Sequence, residues 1–236
     1  MLEINNLHKS FDKKEILHGV SLNVKDGEIF GFIGQNGAGK TTTIKSAVGI
    51  LDFEEGTILI NGINVKEHPL EAKKITAYLP DNPDLYENLS GIQYLNFIAD
   101  VFEISSEQRE ARISEYGKEL GIYDNLGDQI KSLSHGMKQK VAIVSAFMHD
   151  PKLLVLDEPF VGLDPIASHT MKEKLRQLCD KGGSVFFSSH VLEVVENLCD
   201  EIAILKSGSV ILNGKTADLL AQSGTSLEEL FLERAE

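Results

Sequence analysis

The chain has 236 residues, with 36 acidic against 23 basic side chains for a formal charge of −13, and it is 42% hydrophobic and 25% charged. That length suffices for one sizeable α/β core, and the composition reads as soluble and globular. The acidity argues against a broad nucleic-acid surface, and no apolar run approaches the ~18 residues of a membrane span.

Met1-Leu-Glu-Ile4 has neither the basic nor the apolar region of a signal peptide. Leu2 to Leu7 and Ile16 to Val24 alternate apolar and polar residues as half-buried strands do. A turn at Gly27-Glu28 leads into the run Glu28 to Ile33, a strand that feeds the stretch Gly34-Gln-Asn-Gly-Ala-Gly-Lys-Thr-Thr-Thr43. Gly34, Gly39, Lys40 and Thr41 fit G-x-x-x-x-G-K-[ST]. Such a loop turns successive backbone N–H groups toward phosphate oxygens, while the lysine reaches the terminal phosphates and the threonine hydroxyl faces Mg²⁺. A helix is expected over Lys40 to Gly49, so phosphate meets its positive end. Strand, loop and helix in that order separate the motif from a chance Gly-rich turn. The loop is expected to hold a nucleoside triphosphate.

Gly56 to Ile60 is a further strand, ending at the hairpin turn signal Asn61-Gly62. From Ser90 to Asp150 the spacing turns helical, as in Tyr94-Leu95-Phe97-Ile98-Val101-Phe102, and 90–149 reads as an inserted helical lobe. It interrupts a core of 1–89 and 150–236. After Pro151 come a strand over Lys152 to Leu156, a helix over Pro165 to Lys181 and a strand over Ser184 to Ser189. A helix over Val191 to Leu198 and a strand over Glu201 to Leu205 follow. Such alternation predicts a mainly parallel sheet covered on both faces, with the β-rich N-terminal part beside it. Cys179 and Cys199 match no zinc or redox spacing and read as free cytosolic thiols.

Leu153-Leu-Val-Leu-Asp157-Glu158-Pro159 is an apolar strand ending in two acids. In parallel α/β sheets ligands bind beyond the carboxyl ends of the strands. Asp157 suits a position on Mg²⁺ opposite Thr41, and Glu158 one from which to polarise an attacking water. An Asp-Glu pair alone would read as an N-cap or solvated turn; the phosphate loop upstream decides for the metal and base roles. Ser132 to Lys140 begins another helix, with Ser134 as N-cap.

Taken with Leu133-Ser134-His135-Gly136-Met137, Gly162-Leu163-Asp164 and Ser188-Ser189-His190, the chain resembles the nucleotide-binding subunit of an ABC transporter, from Leu2 to about Leu232. The resemblance implies ATP and Mg²⁺ as ligands. Its phosphates would rest on Gly34, Asn36, Gly37, Ala38, Gly39, Lys40, Thr41 and Thr42. Phe11 would stack on adenine. Thr41, Asp157 and Asp81 would serve the metal, and Glu158, His190 and Lys40 the hydrolysis. Two chains, alike or different, would sandwich each ATP against the partner's Ser134 and Gly136, with Asp164 in the loop between. Membrane-spanning subunits would be driven through the segment after Leu79, which places the chain on the cytoplasmic side of the cell membrane. No nucleic acid is expected.

Two positions depart from the family pattern. Where the family usually has Gln after Leu79, this chain reads Pro80-Asp81-Asn82-Pro83-Asp84. Asp81 accepts but cannot donate an amide N–H; either Asp81 or Asn82 is left to do the work. The signature, usually LSGGQ, has His135 in place of Gly. Its ring either points to solvent or adds a proton-dependent charge near phosphate. The Asp-containing loop, the Leu-Ser-x-Gly-Met form and the ending Leu227 to Glu233 look similar to bacterial exporter-type subunits with a separate membrane polypeptide. The alternative is a soluble relative such as an iron–sulfur assembly ATPase, which shares the site chemistry and differs in partners. A small-molecule kinase would have no use for Ser134 to Met137.

Overall fold

The computed structural model describes residues 1–12 and 14–235; Lys13, in the expected turn, and Glu236, at the end of the expected core, lie outside them. Two sheets carry the fold. The smaller is antiparallel, in the order β2-β1-β4-β5, built from β1 (Leu2–Phe11), β2 (Lys14–Val24), β4 (Glu55–Ile60) and β5 (Ile63–Asn64). The larger has six strands in the order β10-β9-β3-β8-β7-β6. These are β3 (Ile29–Gly34), β6 (Thr76–Leu79), β7 (Leu153–Asp157), β8 (Ser184–Ser189), β9 (Glu201–Lys206) and β10 (Ser209–Lys215). All its pairs are parallel except β10 with β9.

The pattern of β3 shows why the layers form. Every residue from Ile29 to Gly34 is buried, because the strand has a covered face on each side. Phe30 and Phe32 turn toward the antiparallel sheet, where they join Leu2, Ile4, Val20, Ile44 and Phe186 in one core. Ile29 and Ile33 turn the other way, to Leu154, Leu156, Phe187 and the helices. Gly31 lies on that second face. A Cβ there would stand 2.7 Å from Cys199 Sγ and 2.8 Å from Val195 Cγ1, so the missing side chain lets α7 (Leu192–Leu198) pack directly on the strand. Both cysteines are free and buried. Burial pushes the Cys179 thiol up to about 12.

The helical region comprises α3 (Gly91–Val101), α4 (Ser106–Glu119) and α5 (His135–Phe147), with two 3-10 turns between the last two. Each start is chemically marked. Ser90 and Gln93 form a reciprocal capping box, and Ser105 and Ser134 accept from Gln108 N and Met137 N. The apolar faces of these helices, including Leu95, Ala99, Ile113 and Val144, run into the sheet core without a break.

The strand and helix expectations hold to within a few residues, and the turn at Asn61-Gly62 joins β4 to β5, with Ile60 opposite Ile63 and positive φ at both turn residues. The first hairpin differs. β1 runs on past Leu7 to Phe11, and β2 starts at Lys14 rather than Ile16. Register shifts between Ile4 and Ser10 break the alternation there, so the sequence pattern stops early although pairing continues. The short α2 (Pro69–Lys74), β10 and α8 (Thr216–Ser223) were not expected; the chain ends in α9 (Leu227–Ala235).

Candidate nucleotide site

β3 ends at the loop that α1 (Lys40–Ala47) closes. Gly34 sits hard against β9: a Cβ there would lie 2.5 Å from the Leu205 carbonyl oxygen. Gly39 has φ +111°, and a Cβ would meet Leu17 at 2.7 Å. Only glycine takes that backbone without strain. Gly39 is also the N-cap of α1, and no side chain among the described residues caps the helix. Its first N–H groups are therefore open to an anion, and no acid in the first turn opposes one. Lys40 is buried, and its Nζ donates to the carbonyls of Gly34 at 2.7 Å and Gln35 at 3.3 Å. The loop thus wraps its own ammonium. Thr41 is exposed beside it.

Across from the loop, β7 delivers Asp157, 2% exposed. Register pairs it with Ser188 on β8, whose Oγ donates to Asp157 Oδ1 at 2.5 Å. The same Oγ accepts the Glu158 N–H at 3.2 Å. Glu158 has φ +49°, an uncommon backbone for a residue with a long side chain. Its Oε2 accepts from His190 Nδ1 at 2.8 Å and from His190 N at 3.2 Å. Ser188 therefore fixes both acids, one through its carboxylate and the other through its main chain.

Phe11, Asn36, Gly37, Gly39, Lys40, Thr41, Thr42, Asp81, Asp157 and Glu158 line one cleft of about 400 Å³. His190 reaches it through Glu158. Ala38 faces a smaller cavity behind the loop, beside Phe231 of α9. Phe11 is the last residue of β1 and 45% exposed, with Lys9 Nζ 5.2 Å from its ring centroid. The ring has a structural neighbour on one side. The donor set of a threonine hydroxyl and two carboxylates consists of hard oxygens and fits Mg²⁺. With one Asp157 oxygen taken by Ser188, the other is free to bind a cation.

Ser134, Gly136 and Asp164 line no part of this cleft. They gather where α5 meets the start of α6 (Pro165–Asp180). A Cβ on Gly136 would lie 2.6 Å from the Gly162 carbonyl oxygen, and one on Gly162 would lie 2.8 Å from His135 Nδ1. Lys140 Nζ pairs with Asp164 Oδ2 at 2.6 Å and holds that carboxyl below its usual range. The first turn of α5 and the loop before α6 are thus one packed unit. His135 lies over Gly162 and also borders a cavity with Asn82, Asp84 and Lys138.

The ABC transporter family model matches residues 17–161. The chain belongs to the ABC transporter family. It is 36% identical over 236 residues to the ABC-type transporter ATP-binding protein EcsA of Bacillus subtilis, covering 99% of this chain and 96% of that one. The linearmycin resistance ATP-binding protein LnrL of the same organism is 35% identical over 95% of this chain and 72% of its own length. A solved structure of the ATP-binding subunit of an ABC transporter superposes with TM-score 0.95, at 36% identity and full coverage of both chains.

Within this ABC fold, sequence reasoning missed three side chains. Ser188 enters the sequence only beside His190, and its role follows from the β7–β8 register. Lys140 lies in the signature helix, with no sign in the sequence of its partner Asp164. Tyr78 belongs to no sequence motif; its buried hydroxyl has no hydrogen-bond partner among the described residues.

Proposed function

We propose that the chain binds Mg-ATP in this cleft, hydrolyses it as one of two facing subunits, and drives separate membrane-spanning subunits. One observation carries the reading: Lys40, Thr41, Asp157 and Glu158 converge on a single cleft while the Ser134 helix start opens elsewhere. Adenine stacks on Phe11, and the phosphates lie over the open N–H groups of α1 and Lys40 Nζ. Thr41 and Asp157 would hold Mg²⁺, and Asp81 lines the same cleft. When bound, the ion neutralises charge on the β- and γ-phosphates.

Glu158 takes a proton from water as its oxygen attacks the γ-phosphorus, and the bond to the β,γ-bridging oxygen breaks to release ADP. His190, donating from Nδ1, keeps the accepting carboxylate turned toward that water. The start of α5, capped by Ser134, is an anion site that its own chain's loop does not use. In a second copy or a related chain it completes the γ-phosphate shell.

The membrane subunit docks in a groove of about 670 Å³ lined by Ile50, Leu70, Tyr78, Val101, Phe102 and His149. Ile50, Leu70 and Val101 are more than half exposed there, a concentration of bare apolar surface that marks an interface. No helix among the described residues is long and apolar enough to cross a membrane, so the proposed occupant is a short apolar helix of a separate membrane chain. The subunit then works on the cytoplasmic side of the cell membrane. Outward movement of substrate is the reading favoured by the Asp81 loop and the Leu-Ser-His-Gly-Met signature.

Phosphate release from Mg-ATP by the purified chain, alone and with its membrane partner, tests the reading. Lys40→Ala should abolish it. Leu70→Glu should leave ATP binding intact and break co-purification with the membrane chain. Unchanged hydrolysis in Lys40→Ala would overturn the site.

A further inference from the structure

Tyr78 stands on β6 between the apolar groove and the nucleotide cleft. Its side chain lines the groove beside Thr76 and His149, and packs on the core shared with the antiparallel sheet. β6 runs parallel to β7, with Tyr78 opposite Val155 and Leu79 opposite Leu156. Successive strand residues point to opposite faces. Tyr78, Val155 and Asp157 therefore share one face, and Asp157 lies a single same-face step beyond the residue opposite Tyr78. With strands ~4.8 Å apart and a rise of ~3.3 Å per residue, such diagonal neighbours lie roughly 8 Å apart, within reach of an aromatic side chain.

The phenol hydroxyl is buried and has no hydrogen-bond partner among the described residues. Beyond the effect of burial, the charges of Asp157 and Asp81 push its pKa further upward, which marks both carboxylates as its electrostatic neighbours. Buried polar groups are nearly always bonded, and an exception calls for an explanation. Asp157 has the matching need. Ser188 holds only its Oδ1, and a carboxylate that ligates a metal is oriented by the outer partners of its oxygens.

We propose that Tyr78 is a positioning residue for the metal site: its hydroxyl donates to the Asp157 carboxylate when Mg-ATP fills the cleft. The inference rests on the Mg-ATP reading given above. It makes Tyr78 a single side chain that lines the docking groove and orients a magnesium ligand.

The test is Tyr78→Phe, which removes only the oxygen. Fluorescent ATP binding is titrated against Mg²⁺ in the purified chain, with a magnesium-free arm, and thermal melting is followed without nucleotide. The variant should bind ATP without magnesium within twofold of wild type. Its Mg²⁺ midpoint should rise roughly tenfold, the scale for losing a hydrogen bond to a charged group. Its melting temperature without nucleotide should stay level or rise, because an unpartnered hydroxyl is gone from the interior. A Mg²⁺ midpoint within twofold of wild type overturns the proposal. So does a marked loss of stability without nucleotide, which would assign the hydroxyl to the fold. Failure of wild type to bind ATP at all would instead overturn the underlying reading.

Discussion

Glu158 Oε2 is held twice by His190, through the ring Nδ1 at 2.8 Å and through the backbone N–H at 3.2 Å. The Glu158 side chain is 14% exposed and that of His190 58%, so solvent stands on the histidine side and the carboxylate looks into the cleft. The backbone bond survives any substitution at 190 except proline; the ring bond does not. His190→Ala should therefore slow hydrolysis by roughly 10- to 100-fold, from the loss of a ~1.5–3 kcal/mol bond to a charged group. ATP affinity should be kept. Steady-state phosphate release beside a binding titration separates the two, and an equal loss in both would assign His190 to binding instead.

Phe11 ends β1 with its ring nearly half exposed. Removing it disturbs little core, yet takes away the only aromatic face that lines the cleft among the described residues. Phe11→Ala should weaken ATP binding by about 1–3 kcal/mol, the scale of base–aromatic stacking, without lowering the melting temperature by more than a few degrees. Titration calorimetry checks this. An unchanged affinity would remove Phe11 from the site.

His149 gives a pH signature. Its ring stacks on Phe102 at 3.7 Å, and its Nε2 meets the Thr76 carbonyl at 3.3 Å. Burial lowers its pKa from 6.5 to about 4; the Thr76 carbonyl opposes the shift, Arg112 adds to it and Asp150 opposes it. The folded chain keeps this ring neutral where the unfolded chain already binds a proton. The contribution is complete above about pH 6.5 and is lost as pH falls toward 4, by roughly 3 kcal/mol in all. His149→Phe keeps the stack and removes the titration. Urea unfolding at pH 7.5 and 5 should show a smaller acid loss in the variant than in wild type. Parallel losses would contradict the assignment.

Gly162 and His135 form the steric joint between the signature helix and the loop before α6. Gly162 has φ +80°, and a Cβ there would stand 2.8 Å from His135 Nδ1. Gly162→Ala should weaken ATP-dependent association while leaving ATP binding to the single chain unchanged. His135→Gly should restore the steric part only, leaving the ~1–2 kcal/mol backbone cost of a side chain at that φ. A double-mutant cycle on the association midpoint measures the coupling. Strict additivity would mean the two residues do not meet.

What was legible in the sequence follows from range. The phosphate loop, the Asp157-Glu158 strand end and the cap at Ser134 are local signals, and each lands where the sequence pattern puts it. Phe11 is marked only by the family resemblance, because the register shifts in β1 hide the strand that carries it. Ser188 and Tyr78 act through strand neighbours fixed by parallel register, which no periodicity reveals. Lys140 pairs with an acid twenty-four positions away across a helix junction. The helical region reads as an inserted lobe by composition; that its apolar faces join the sheet core in one cluster is a property of packing.

The central claim is that two chains share each ATP, one giving the Lys40 loop and the other the Ser134 helix start. Glu158→Gln keeps the shape of the base but cannot take the water's proton, so hydrolysis should fall by roughly 10²–10⁴ and the bridging nucleotide should persist. Each chain carries −13, so the measurement belongs at 0.1 M salt or above, where the Debye length is about 10 Å or less. Light scattering of Glu158→Gln with excess Mg-ATP should report a dimer that dissociates on nucleotide removal, and Ser134→Arg in the same background should bind ATP as a monomer. A Glu158→Gln protein that binds Mg-ATP and remains monomeric, even beside its membrane partner, would contradict the account.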